Sequence, residues 1–548
     1  MQIDNSQETI DKRNIDEDFV VSSAWWVSFG TLISRIMGLF RQVLMASIFG
    51  TGMAMDAFRV AYRIPNLLRR VIGEGGLTRV FMPVYAGILE KKGKEAADRF
   101  TSSLMIVLFV FLIILAFFLF FAAPIIVPWL ADGWKDEPEK ITLAIKMLRL
   151  FTPYIFLISF YSLFMGYLNS NRRFFLPAIG PAFLNGIWFL GMIFILFKMK
   201  NFDNVEKIYA VVIFLLIGAT VQFLIQIPMS KKYGIFKKPA IKEDKGNITE
   251  LGRLLSPTLF SVAVGQINMI VDVKLASRLM EGSVSALSYA NMLTTFPIGI
   301  ISKAIGTASL PSLSSYSAKG DIEGMTSMIT YTLRLVLSLM IPIAFLAFIF
   351  RIEVIELLFQ RGNFSANVST PLTAFGFMGY IFSIIGYGGS NIMIQGFYAV
   401  KDTKIPVIGA AIATVTNVVL NLLFVGPLIH GGLAIASTIA GFAYLAFLII
   451  VFQIKIGGLK FGKLIRRSAA FTVISLVSGV IGWLFIHPVR EYLVTSVSLI
   501  DKLINFFVPA GISVALIIAM YHFFGFQEYK KLSKPLIRRA KKIFKKSQ

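Results

Sequence analysis

Seven arginines crowd into two stretches that otherwise read as apolar: Arg35 and Arg41, then Arg59, Arg63, Arg69, Arg70 and Arg79. A guanidinium stays charged and presents a planar fork that matches phosphate or carboxylate oxygens two at a time. At the centre of a bilayer one such charge costs at least about 2.5–3.5 kcal/mol. The group therefore implies a hydrated cavity with an anionic visitor. At about 100° per residue, Arg59, Arg63 and Arg70 share one helical face, and Ser34 nearly eclipses Arg41. Snorkelling and internal pairing are the plainer alternatives, and Arg70 stands i,i+4 to Glu74. The acids within apolar stretches are few: Asp56, Glu74, Glu90 and Asp272. His430, His487 and His522 fall at the ends of apolar runs, where an interfacial place is expected. Neither a close carboxylate pair nor a His cluster is present, which argues against a membrane-embedded enzyme needing a base or a metal.

The elements that must hold these arginines follow from composition. The chain has 548 residues, 56% hydrophobic and only 15% charged, with 51 Phe and no Cys. Soluble chains carry about 25% charged residues, so the expectation is an all-α polytopic membrane protein. Apolar runs long enough to cross a core of about 30 Å predict 14 transmembrane helices. The reading gives a cytoplasmic N-terminal tail at 1–22, without a cleavable signal, then an N-lobe of six spans at 23–230. A basic cytoplasmic loop at 231–250 precedes a C-lobe of six spans at 251–455. A last pair of spans at 456–525 leads to a basic cytoplasmic tail at 526–548. Lys and Arg concentrate in alternate connections and at the carboxyl end, which places both termini in the cytoplasm. That topology accounts for the net charge of +24 without nucleic acid. The tail, from Tyr529 onward, spaces its apolar residues as a helix would and is expected on anionic phospholipid of the inner leaflet. Thr78 to Pro83 and Thr307 to Pro311 end the second and eighth spans, with Pro65 and Pro297 at similar offsets. This echo predicts two pseudo-symmetric six-helix lobes around a central cavity.

The residues themselves carry a resemblance. Ser34-Arg35-Ile-Met-Gly38-Leu-Phe-Arg41, Phe49 to Phe58, and Ile64-Pro-Asn-Leu-Leu-Arg-Arg70 with Gly73-Glu-Gly75 strongly resemble the MurJ (MviN) family of lipid II flippases, in the MOP exporter superfamily. Further matches are Gly282-Ser-Val-Ser, Phe296-Pro297, Gly306 to Pro311 and Leu357-Leu-Phe-Gln-Arg-Gly362. The resemblance runs from about residue 25 to 450. It implies a monomeric transporter of the bacterial cytoplasmic (inner) membrane that flips undecaprenyl-diphosphate-linked peptidoglycan precursor by alternating access. It implies that Arg35, Arg41 and Arg69 bind the diphosphate, with Ser34, Arg63 and Arg70 nearby. Asp56 and Glu74 would pair with these arginines. The last two spans would form a groove for the polyprenyl tail. The family's cation site would map to Asp272, Asn417, Asn421 and Ser437, a set of oxygen donors suited to Na⁺; no other cofactor is implied. Polar bonding between helices is the alternative for those four residues. Three departures from the family pattern are present: Gln42 replaces a common acid, Asn291-Met292 replaces an Asp-Arg pair seen in some members, with Lys303 further along the same span, and Asn421 stands where a carboxylate is sometimes found. Arg59 lies outside the matching blocks and near an expected helix end. The rival readings are another polyprenyl-diphosphate sugar flippase or a multidrug exporter. The first lacks the Pro-Asn-Leu-Leu-Arg-Arg block and the second needs an acidic cavity.

Overall fold

The computed structural model describes residues 34, 36–69, 76–264, 266–492 and 498–529, with backbone alone at 76, 79, 257–264 and 492. Arg35, Arg70 and Glu74, the side chain of Arg79, and the two terminal tails 1–33 and 530–548 lie outside the described residues. Within them the chain is helical, and ten helices are long and apolar enough to cross a membrane. Contacts divide the chain into two compact units, residues 1–281 and 282–548.

In the first unit the order is α1 (Ile36–Phe49), α2 (Met53–Leu68), α3 (Gly76–Leu130), α4 (Pro138–Leu150), α5 (Thr152–Ser170), α6 (Phe175–Lys198), α7 (Asn204–Leu224), α8 (Ile227–Tyr233), α9 (Ile241–Val264) and α10 (Ile267–Ser277). α3 has 55 residues, about 80 Å at 1.5 Å per residue, more than twice the thickness of the hydrocarbon core. It breaks at Gly93, whose φ of 82° only glycine adopts at no cost. The break falls amid Glu90, Lys91, Lys92, Lys94 and Glu95, which water can solvate. Phe81, Tyr85, Phe100, Phe164 and Tyr167 form the buried aromatic centre where α3 meets α5.

The segment expected as a loop at 231–250 is instead ordered against α3. Gly234 ends α8 with a φ of 94°. The chain then runs extended to α9, held by Ser102 Oγ, which donates to the Ile235 carbonyl at 2.6 Å and accepts from Lys237 N–H at 2.9 Å. Buried Asp98 accepts from the hydroxyls of Tyr85 and Tyr167, both at 2.9 Å. Ser103 bonds Asp244 at 2.7 Å, and Arg99 reaches Glu243 at 2.8 Å. At the other end of the unit, Asp132 takes a two-pronged hydrogen bond from Arg278, at 2.9 and 2.6 Å. Gly133 lies so close to α10 that a Cβ there would come 2.3 Å from the Ser277 carbonyl. The span expected to open the second lobe at 251 thus packs within the first unit, α9 on α3 and α10 on residues 132–134.

The second unit comprises α11 (Ser283–Pro297), α12 (Lys303–Ala318), α13 (Ile322–Ile349), α14 (Arg351–Leu358), α15 (Ser369–Tyr380), α16 (Ser383–Ala399), α17 (Lys404–Lys455), α18 (Phe461–Leu484), α19 (Ile486–Tyr492) and α20 (Leu499–Phe523). Small residues let its helices touch backbone to backbone, as helix packing in lipid favours. A Cβ on Gly386 would lie 2.4 Å from the Gly441 carbonyl carbon, and one on Gly482 2.5 Å from the Pro509 carbonyl oxygen. α17 breaks at Ile429, with φ 50° and ψ −137°. His430 follows it and is buried rather than interfacial, its Nε2 bonding the Leu372 carbonyl at 2.8 Å. Arg361 donates to the carbonyls of Leu357 and Leu358 at 2.6 and 2.8 Å. This caps α14 and gives the Leu357–Gly362 motif a structural reason. The last two helices are pinned to the unit by Arg490 against Glu353 and Glu356, and by Glu528 against Arg334 at 3.3 Å.

Candidate functional site

The arginine-bearing helices of the first unit build the site. Gly50, with φ 57°, turns the chain from α1 into α2 without the strain a side chain would bring. Arg59 is near the middle of α2, not near a helix end, because α2 and α3 are separate helices. Its Nη2 donates to Gln42 Oε1 at 2.7 Å, so the family's missing acid is replaced by a neutral acceptor. Arg63 follows one turn on and is half-buried. Arg69 stands at the C-terminal end of α2, where a cation suits the helix dipole, and its Nε donates to Asn66 Oδ1 at 3.1 Å.

Arg41 is held from α6. Its Nη1 donates to Asn185 Oδ1 at 2.7 Å, and its guanidinium carbon lies 3.8 Å from the ring centre of Trp188. The Asn185 amide cannot turn over without losing bonds: Nδ2 donates to Ser34 Oγ at 2.9 Å and to the Pro181 carbonyl at 3.0 Å. Pro181 lacks an N–H, so the Pro177 carbonyl loses its helical partner. The Tyr161 hydroxyl donates to that carbonyl at 2.7 Å. Trp188 in turn packs against Phe58 and Tyr62, and Tyr62 against Phe151 and Tyr154. Arg41 feels the charges of Arg59 and Arg69, and its Nε is buried with no hydrogen-bond partner among the described residues.

Asp56, in the first turn of α2, meets Lys140 at 3.4 Å; both side chains are almost wholly buried, at 2% and 1% exposed. Asp56, expected to pair with an arginine, thus has a lysine beside it. Glu137 stands 3.3 Å from the same ammonium, and the Trp134 ring lies 4.5 Å away. Among the residues of the mapped cation site, Asn417, Asn421 and Ser437 come together in the second unit. Asn421 donates to Asn417 at 3.1 Å and Asn417 to Ser437 at 3.0 Å. Asp272 is on α10 of the first unit. The Asn417–Ser437 bond joins the two halves of α17 across the break at Ile429, while the bond between the amides lies within one half. Lys303 is exposed at the start of α12.

Asn185, Trp188 and Lys140 were not among the residues expected from the sequence. Asn185 had a signal: it is a lone amide inside the apolar run of α6, and such residues in membrane helices face protein or water.

An inward-facing multidrug transporter of the MATE family and MOP superfamily superposes with a TM-score of 0.62 at 15% identity, covering 82% of this chain and 98% of that one. A solved lipid II flippase MurJ in an inward closed conformation gives a TM-score of 0.74 at 26% identity, over 91% and 99% of the two chains. The chain shares the fold of these two membrane proteins, helical and multi-pass. The profile described as lipid II flippase MurJ matches residues 45–502. The probable lipid II flippase MurJ of Rhizobium tropici is 32% identical over 461 residues, covering 83% of this chain and 84% of its own length. The lipid II flippase MurJ of Burkholderia cenocepacia is 33% identical over 419 residues, covering 75% of this chain and 79% of its own length. The chain belongs to the lipid II flippase MurJ family, which makes it a multi-pass protein of the inner membrane.

Proposed function

We propose that this chain carries lipid II from the inner to the outer leaflet by alternating access, with Arg35, Arg41 and Arg69 holding the diphosphate. The headgroup must pass a low-dielectric core in which unpaired charge is prohibitive, and fixed guanidinium forks meet that need. The observation that carries the reading is Arg41, clamped by Asn185 and Trp188 with Nε left unfilled. Ser34 supports it through the same amide, while Arg63 and Arg70 extend the cationic face. Fourteen spans in two six-helix lobes, termini in the cytoplasm and a polyprenyl groove between α18 and α20 complete the proposed arrangement. The protein works as a monomer amid phospholipid. For Asn417, Asn421 and Ser437, polar bonding within the protein is favoured over a Na⁺ site that would also draw on Asp272, because the two amides and the hydroxyl already bond one another.

The test is complementation of a strain depleted of its own flippase. Arg35→Ala, Arg41→Ala or Arg69→Ala should abolish growth at normal protein abundance, and inner-leaflet lipid II should accumulate. Losing one charge partner at a buried interface costs about 2–5 kcal/mol, roughly thirtyfold or more in affinity. Arg→Lys should restore growth only in part, since an ammonium lacks the fork. Full growth of all three alanine variants at wild-type abundance would end this mechanism.

A further inference from the structure

We infer that Trp188 and Asn185 are positioning residues for lipid II recognition, fixing which edge of Arg41 meets the diphosphate. The inference rests on the diphosphate-binding reading above. A planar guanidinium offers two forks to an anion, one end-on through Nη1 and Nη2 and one side-on through Nε and Nη2. In Arg41 one of the two Nη1 N–H groups is taken by Asn185 at 2.7 Å, so an anion at the end-on fork has to share Nη1 with that bond. That bond is fixed in direction, since Asn185 Nδ2 is committed to Ser34 and Pro181 and Oδ1 is left as the acceptor. The guanidinium carbon lies over the ring of Trp188, 3.8 Å from its centre. Stacking of this kind restrains tilting of the plane and stabilises the cation without using any N–H. What is left is the side-on edge, and its Nε is buried with no partner among the described residues.

Trp188 itself is unusual as packing. It is 1% exposed, and its indole N–H also has no partner among the described residues. A buried Trp normally finds one. A leucine or phenylalanine would fill apolar space in α6 without stranding a donor, so the feature that distinguishes the indole here is its large electron-rich face under Arg41. Tyr62 and Phe58 brace that ring from α2, which ties the aim of Arg41 to the helix carrying Arg59, Arg63 and Arg69. An oxyanion pair from a single phosphate matches the Nε–Nη2 fork once the surrounding helices part to admit it, whereas a point contact would not need the plane to be fixed.

The experiment uses the full-length protein purified in detergent, with farnesyl diphosphate as the probe and farnesyl monophosphate as its comparison. Affinity is measured for wild type, Trp188→Leu, Trp188→Phe, Arg41→Ala and the Arg41→Ala/Trp188→Leu pair. Trp188→Leu should weaken diphosphate binding about 3- to 30-fold, the range for loss of a desolvated cation–π contact, and Trp188→Phe should fall between it and wild type. In the Arg41→Ala background the same change should add almost nothing, because its effect runs through the guanidinium. An equal loss in both backgrounds would show that Trp188 acts by packing, and would overturn the inference while leaving the diphosphate reading intact. Wild-type affinity for Arg41→Ala would instead overturn the diphosphate reading and this inference together. Should Trp188→Leu not yield folded protein, Trp188→Phe and Trp188→Tyr carry the same cycle, with thermal unfolding as the control.

Discussion

Replacing Lys140 by Met tests the buried ion pair directly. The ammonium lies 3.4 Å from Asp56, and the two side chains are 1% and 2% exposed. At an effective dielectric near 20, that separation corresponds to about 5 kcal/mol of attraction. Desolvation of both ions offsets much of it in the intact pair, but removing one partner leaves the other's desolvation uncompensated, at about 3–5 kcal/mol. Lys140 is also in the first turn of α4, where a cation opposes the helix dipole, so its acidic neighbours and the Trp134 ring are what favour it there. Glu137, 45% exposed, can turn to water and adds little to the loss. With about 2.1 cal/mol/K of unfolding entropy per residue over a unit spanning residues 1–281, the change should lower the unfolding midpoint by roughly 5–8 °C. Thermal unfolding in detergent, followed by tryptophan emission, reads it. Asp56→Asn combined with Lys140→Met should recover most of the loss, giving a coupling of about 2 kcal/mol or more. A double variant as unstable as the two single losses added together would refute the buried-pair argument.

Two further outcomes concern the clasp between residues 132–134 and α10. Gly133→Ala should destabilise the first unit by about 1–3 kcal/mol, since its Cβ would fall 2.3 Å from the Ser277 carbonyl and 2.4 Å from Arg278 Cα, both backbone; an unchanged unfolding midpoint would contradict the close approach. The Asp132 carboxyl is held below its usual range, first by the hydrogen bond from Arg278. Its contribution is therefore fully present above the unfolded carboxylate value of about 3.9 and lost as pH falls through the depressed folded value. Unfolding midpoints taken between about pH 5 and pH 3 should show an acid-side decline that Arg278→Ala removes; the same slope in that variant would show that the clasp is not its source.

The apolar runs made the helices legible, because a membrane leaves the backbone little choice but to bond within each segment. The arginines of α1 and α2 were legible for the same reason: charge in such a run has to be used. Partners from distant segments were not. Asn185 is 144 residues from Arg41, and Lys140, set among Glu137, Pro138 and Glu139, reads as an ordinary loop charge until Asp56 closes over it. The segment before α9 was expected only as a basic loop, from its lysines. Its order comes from Asp98, Ser102 and Ser103, polar residues at the start of an apolar run whose role depends wholly on what docks there. The assignment of α9 and α10 to the first unit likewise follows from Gly133 and Asp132, through contacts that no periodicity reports.

That docked segment has a mechanical meaning. α9 is a single helix of 24 residues, about 36 Å long, whose first turn is bolted to α3 through Asp244, Ser103 and Arg99. The stretch following α8 is consequently a stiff arm with its fulcrum on α3. A force applied to the exposed lysines in its first turns is passed along the helix as tilt rather than absorbed as slack.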